Sequence, residues 1–158
     1  MSTELLDWDL PGPHVTTLVV AAADIDAYDH VNNAVYVTWL DRAAWSHSAA
    51  LGLPVERCLE LDRGMAVLRS VISYLRPALL GDAVQVATWL LAADYKLRAR
   101  RRFQLRRAGD GVTLVRAEVE YVCIELSSGR PVRAPAEFRE RYVALPDVSA
   151  AYAGLPPV

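Results

Sequence analysis

Residues Ala34 to Leu51 contain no glycine or proline, are rich in alanine, and follow a pair of asparagines. The stretch reads as one long helix, with Asn32 or Asn33 as N-cap and Gly52 at the C′ position. Val35, Tyr36, Trp39, Leu40, Ala43, Ala44 and Trp45 occupy more than one of its faces. A helix apolar nearly all round is a buried helix, so the rest of the chain is expected to wrap it.

The wrapping material is strand. Val15 to Val20 is a β-branched run that precedes the helix, and Met65 to Glu125 supplies four more strands. Arg76-Pro77 and Gly81-Asp82 separate the first two of these, and Ala93-Asp94 the next two. In the third, Tyr95, Leu97, Ala99, Phe103 and Leu105 alternate with Lys96, Arg98, Arg100, Arg102, Gln104 and Arg106. After the Gly109-Asp110-Gly111 turn, Val115, Ala117, Val119, Tyr121 and Cys123 alternate with Arg116, Glu118 and Glu120. Period-2 alternation with one apolar face marks a half-buried antiparallel sheet. Keeping both apolar sets on one face places Arg102 opposite Glu118 and Arg100 opposite Glu120. Arg101 then falls on the apolar face and needs a bulge, a buried partner or a ligand. A short helix is expected at Pro135 to Tyr142. The order defines an α+β fold, an antiparallel sheet wrapped around one long central helix, which is the hotdog arrangement. Its sheet edge commonly pairs with a second copy.

Composition bounds the rest. A chain of 158 residues with 53% hydrophobic content and net charge −2 makes one globular domain and excludes wholesale disorder. Residues 1–13 and 145–158, Pro- and Gly-marked, are expected as tails around a domain at 14–144. A sequence pI near 5.9 argues against dedicated nucleic-acid binding. Cys58 and Cys123 are too few and too distant for a disulfide scaffold or zinc cluster, and read as core thiols. No apolar run reaches a membrane span, and the acidic, Pro-broken start is unlike a secretory leader; a cytoplasmic protein is expected.

Chemistry concentrates in ten residues, Asp24 to Asn33, which hold three carboxylates, a histidine and two asparagines. They lie between a strand end and a helix N-terminus, where unpaired N–H groups and the positive end of the macrodipole favour an anion or developing oxyanion. A carboxylate there can serve as base or nucleophile, and helix N–H groups can form an oxyanion site. Without Ser or Cys as nucleophile, that combination suits hydrolysis of an activated ester. Asp and Asn are equally ordinary caps and turn formers. Asp24, Asp26 and His30 lack a metal-ligand pattern, so no metal is expected.

The segment ADIDAYDHVNNAVYVTWLDRA resembles the active-site segment of the 4-hydroxybenzoyl-CoA thioesterase-like family of hotdog acyl-CoA thioesterases, commonly Asp-x-Asp-x-x-Gly-His-Val-Asn-Asn-x-x-Tyr. SYLRPALLGDAVQV resembles that family's Tyr-x-Arg-Pro-Ala strand and Gly-Asp turn. YVCIELSSGRPVRAPAEFRERY resembles the last strand and terminal helix of its bacterial long-chain branch. The likeness spans residues 15–143, nearly the whole domain.

The resemblance implies an acyl-CoA thioesterase in which Asp26 is the catalytic carboxylate, as base or nucleophile. His30 would orient Asp26 or the thioester. The backbone N–H at Asn33 would polarise the carbonyl. Tyr36 would line the acyl pocket or pack, and Tyr28, Trp39 and Trp45 would line an aryl slot or aliphatic tunnel or belong to the core. Asp24 is a second carboxylate that some long-chain relatives lack, and Asp41, mid-helix, is an alternative catalyst. Asp29 stands where many relatives have Gly; Asp tolerates the left-handed region, so the turn is expected to survive. The substrate would be an acyl-CoA or acyl-carrier-protein thioester, with coenzyme A as part of the substrate and no separate cofactor. A non-catalytic acyl-binding protein is the alternative from another class. A homodimer or homotetramer is implied, with the partner's strand Met65 to Arg76 facing the site.

Of 17 basic residues 16 are Arg, and seven fall between Lys96 and Arg107. Arg98 and Arg100, with Lys96 and Arg102, are candidates for coenzyme A phosphates. The alternative is a solvated or subunit-interface face partly neutralised by Glu118 and Glu120. No nucleic-acid or membrane partner is expected.

Overall fold

The computed structural model describes residues 8–94, 96–155 and 157–158. Tyr95, expected in the alternation of the third strand of the sheet region, lies outside them, as do residues 1–7 of the N-terminal segment. The chain runs β1 (His14–Val19), α1 (Asn33–Ala50), α2 (Val55–Leu61), β2 (Arg63–Tyr74), β3 (Ala83–Leu91), β4 (Arg98–Arg107), β5 (Thr113–Glu125), α3 (Ala136–Arg141) and α4 (Pro146–Tyr152). All neighbouring strands are antiparallel, in the order β1-β3-β4-β5-β2. This is the expected α+β hotdog architecture.

The β4–β5 register pairs Arg100 with Glu120 and Arg102 with Glu118, as the alternation requires. One face of the sheet then presents Val84, Val86, Phe103, Leu105, Val115 and Ala117 to Tyr36, Trp39, Leu40 and Ala43 of α1. Asn32 caps α1 by accepting the Ala34 N–H at 2.9 Å, and Gly52 follows the helix at φ 88°.

Burial of α1 is one-sided, which corrects the expectation of a helix covered all round. Val37 and Trp45 are 46% and 47% exposed, and Asp41 lies between them on the same exposed stripe. The sheet curves past one side of the helix only.

The described parts of the two expected tails, from Trp8 to Leu10 and from Val148 to Leu155, pack on the sheet. Leu10 and Val148 are buried against Ala87, Trp89 and Leu91 on the sheet face away from α1. The Trp89 indole donates to the Pro11 carbonyl at 2.9 Å, and Arg116 grips Asp9 through two bonds of 2.6 and 2.8 Å. Proline and alanine content suggested tails. The apolar outer side of β3 nevertheless needs a cover, and these segments provide it.

A β-bulge at Leu68 shifts the β2–β5 register: Val67 faces Tyr121 but Arg69 faces Glu120. The extra residue reverses which alternate side chains point toward α1. Ile72 therefore joins the core, and Tyr74 stands beside Tyr36 with ring centroids 5.6 Å apart.

Candidate active site

Between β1 and α1 the chain makes a tight hairpin. Ile25 bridges Val31, the Asp26 N–H donates to the His30 carbonyl at 2.8 Å, and the Asp29 N–H donates to the Asp26 carbonyl at 3.1 Å. Asp29 adopts φ 58°. A two-residue turn closed by a left-handed residue is a standard three-residue hairpin loop, and its last position favours Gly, Asn or Asp. Asp29 thus sustains the left-handed turn, as expected.

Asp26 and His30 are paired across the hairpin neck through the backbone bond between them. One oxygen of Asp26, Oδ1, accepts the Tyr28 N–H at 2.8 Å, which fixes the carboxylate. Among the described residues Oδ2 makes no hydrogen bond. Asp24 is used differently: its Oδ2 accepts the Ala21 N–H at 2.9 Å and caps the single 3-10 turn Ala22–Asp24.

The helix start complements this carboxylate. The Ala34 N–H is taken by the Asn32 side chain and the Val35 N–H by the Asn32 carbonyl, at 2.9 Å each. The Asn33 N–H makes no hydrogen bond among the described residues. It sits at the positive end of an 18-residue helix.

Asp26, Tyr28, His30, Asn33 and Tyr36 line one depression, together with Tyr74, Leu75, Arg76 and Pro77 of the same chain. Five of the expected site residues are therefore brought together. Tyr28 is 83% exposed at the rim. Tyr36 is buried and structural as well as lining: its hydroxyl accepts the Ala78 N–H at 2.9 Å, and Ala78 in turn accepts the Val31 N–H. Burial is the first cause that pushes its phenol pKa up. Tyr74 donates to the Asn33 carbonyl at 3.2 Å and so pins the first helical residue.

Tyr74 and Arg76 went unassigned individually from sequence. Their signal was there, in the SYLRPA stretch, but only the bulge at Leu68 aims Tyr74 at the helix.

Arg98 and Arg100 are not in this depression. Both lie on the sheet face away from α1, where Arg100 donates to Glu118 at 3.1 Å and to the Tyr152 hydroxyl at 3.0 Å. Arg102, 1% exposed, bonds Glu118 at 2.9 Å and approaches Asp9 at 3.5 Å, and the Arg106 guanidinium stacks 4.0 Å over Trp8. Buried Arg102 and half-buried Arg100 and Arg106 thus form a seam with the chain's own ends, where the sequence suggests a coenzyme contact or a solvated or subunit-interface face, while Lys96 and Arg98 stay exposed. Asp41 lines a different pocket, with Trp45 and Arg101. Among the described residues no group of three His, Cys, Asp or Glu is placed to hold a metal ion, and no helix is long and apolar enough to cross a membrane.

A five-stranded antiparallel sheet over one long helix, with a carboxylate hairpin at the helix start, defines the hotdog class of thioester hydrolases. Residues 20–142 match the model of the thioesterase-like superfamily, and the chain belongs to that family. It is 26% identical over 130 residues to the long-chain acyl-CoA thioesterase FadM of Escherichia coli, across 80% of this chain and 94% of that protein. Its fold is similar to that of a 1,4-dihydroxy-2-naphthoyl-CoA thioesterase from Synechocystis (TM-score 0.74, 20% identity, 83% and 96% of the two chains). It is also similar to a Staphylococcus aureus protein in complex with CoA (TM-score 0.76, 21% identity, 94% and 89% of the two chains).

Proposed function

We propose that the protein hydrolyses acyl-CoA thioesters at the depression that holds Asp26, His30 and Asn33. The observation that carries this reading is the pairing of a fixed carboxylate with an uncommitted helix-terminal N–H. The thioester carbonyl oxygen accepts the Asn33 N–H, which stabilises the negative charge that develops on it. Asp26 Oδ2 then acts in one of two ways. As base it takes a proton from water while the oxygen attacks the carbonyl carbon; as nucleophile it attacks that carbon itself and water opens the mixed anhydride. Either way the C–S bond breaks, and the thiolate leaves with a proton as coenzyme A. His30 orients Asp26 or the thioester across the hairpin neck. Arg76 is the cation at the depression, and it suits the coenzyme's phosphates better than Arg98, remote from the site, or Arg100, bound to Glu118 and Tyr152.

A second copy of the chain completes the site in this reading. β2 is an edge strand that exposes Val67, Leu68, Val71 and Tyr74, and α1 exposes Val37 and Trp45 beside it. An apolar surface next to an open sheet edge is a pairing surface.

Thiol release from aryl-, short- and long-chain acyl-CoAs tests the assignment. Asp26→Asn retains the Oδ1 acceptor for Tyr28 but loses the base, and activity should fall by about 10²–10⁴-fold with the fold intact. Single turnover in ¹⁸O-water tests the nucleophilic route: label in Asp26 requires an anhydride that water opens at the Asp26 carboxyl carbon, which the base route never forms. Undiminished activity in Asp26→Asn would refute the role of this residue.

A further inference from the structure

A second pocket lies farther along α1, and its polar floor is unlike an acyl tunnel. Ala44, Trp45, Met65 and Leu90 contribute apolar walls, and Asp41 stands at the exposed rim. Arg101 and Ser48, 4% and 7% exposed, line it from inside. Arg101 donates to His47 Nδ1 at 2.7 Å and to Ser48 Oγ at 3.0 Å, and the Tyr142 hydroxyl donates to the same Ser48 oxygen at 3.0 Å. The Tyr142 ring lies 5.8 Å from the guanidinium carbon.

The charge pattern is simple. Burial, then the Arg101 charge, then His14 push the His47 pKa down to about 3, so the imidazole is neutral at pH 7. Burial pushes Cys58 up, Tyr142 up and Tyr121 up to about 12, so these stay neutral as well. The formal charges of the lining are thus a cation inside, at Arg101, and a carboxylate at the mouth, at Asp41.

Asn33, Val37, Asp41 and Trp45 repeat every four residues and form one exposed stripe on α1. The stripe runs about 18 Å at 1.5 Å per residue, from the helix start to this pocket. We propose that the pocket receives the far end of the acyl group and selects acyl chains that carry a carboxylate or hydroxyl oxygen there. This rests on the acyl-CoA reading of the Asp26 site. An acceptor oxygen meets Ser48 and the positive charge of Arg101, whereas a methyl end buries against polar groups and makes no hydrogen bond with them.

The test compares thiol release from hexadecanoyl-CoA, 16-hydroxyhexadecanoyl-CoA and the mono-CoA thioester of hexadecanedioic acid, whose extended chains reach from the helix start to the pocket, with the full chain and with Arg101→Gln and Ser48→Ala. The expected result is a kcat/KM preference of at least about tenfold for an oxygenated chain, reduced in Ser48→Ala and abolished in Arg101→Gln. Calorimetric binding of octanoate against its methyl ester is read alongside, and does not depend on turnover. If no thioester is cleaved, the acyl-CoA reading fails, and the binding ratio alone decides this proposal. If Arg101→Gln does not fold, the wild-type ratio and Ser48→Ala decide it. Equal or better use of hexadecanoyl-CoA by the wild type, a preference unchanged in the variants, or, without turnover, equal binding of octanoate and its methyl ester overturns the proposal.

Discussion

The Arg101 guanidinium donates to His47 Nδ1 at 2.7 Å, and the His14 ring stacks on that imidazole with centroids 4.9 Å apart. Arginine can only donate, so Nδ1 is unprotonated and the ring proton sits on Nε2. Protonation of His47 would destroy the bond and place a second cation beside Arg101. Its folded pKa of about 3 lies below the ordinary value of 6.5, so the unfolded chain binds a proton that the folded chain refuses. Stability is therefore full above pH 6.5 and is lost progressively as pH falls from there toward 3. Burial lowers His14 too, and it acts in the same direction. One such group contributes a slope of at most about 1.4 kcal/mol per pH unit. Urea denaturation at pH 7, 5.5 and 4 should show the loss, and His47→Asn, which keeps an acceptor but cannot titrate, should flatten it. An unchanged slope in His47→Asn would remove His47 as its source.

Asn33→Pro isolates the proposed oxyanion donor. Proline is tolerated at the first helical position, where it deletes only an N–H that the helix does not use. Asn32 already adopts φ −59° and ψ 136°, the conformation that a residue before proline requires. The variant should fold normally and lose about 10²–10³-fold in kcat, while Asn33→Ala, with its N–H intact, should lose far less. Equal activities in the two variants would mean that the backbone donor has no part in the reaction.

Asp9 holds the N-terminal segment to the sheet. Burial alone would raise its carboxyl, but hydrogen bonding and charge from Arg116, with Arg102, hold it below the ordinary carboxylate range. Asp9→Ala leaves Arg102, 1% exposed, with Glu118 as its remaining carboxylate partner among the described residues. A loss of about 3 kcal/mol is expected, the lower end for a broken buried pair. Denaturant titration checks it; a change under about 0.5 kcal/mol would show that the seam adds nothing to stability.

Asp29→Gly should leave activity unchanged and stabilise by up to about 1 kcal/mol, because glycine enters the left-handed region without the Cβ penalty. Asp29→Val should destabilise, since a β-branched residue fits that region worst. Thermal melts of both variants give the comparison, and the reverse order would contradict the φ of 58°.

Much of the fold was legible because period-2 alternation carries both strand identity and register. The Arg102–Glu118 and Arg100–Glu120 pairings follow from keeping Phe103 and Ala117 on one face. The Asp26–Asn33 hairpin and cap were legible because turn and cap chemistry is local. Helix α2 was not read at all: at Val55–Leu61 it spans about two turns, too few to display a period. The seal formed by Leu10 and Val148 was missed for another reason. Nothing in a Pro- and Ala-rich end states which distant surface it covers, and here the demand came from Trp89 and Leu91 on the outer side of β3.

Sequence by itself determined the α+β order, the strand register across β4 and β5, and the ten residues that form the candidate site. Each of these is set by neighbours within a few positions or by a strict repeat. Only the tertiary structure decided that α1 is covered on one side, that Arg98 and Arg100 lie away from the site, and that Arg101 floors a pocket against His47 and Ser48. It also decided, through one bulged residue at Leu68, that Tyr74 reaches the Asn33 carbonyl. The physical reason is common to all four. Which face a side chain takes depends on long-range pairing and on what else must be buried there, and neither is written in the residue's own surroundings along the chain.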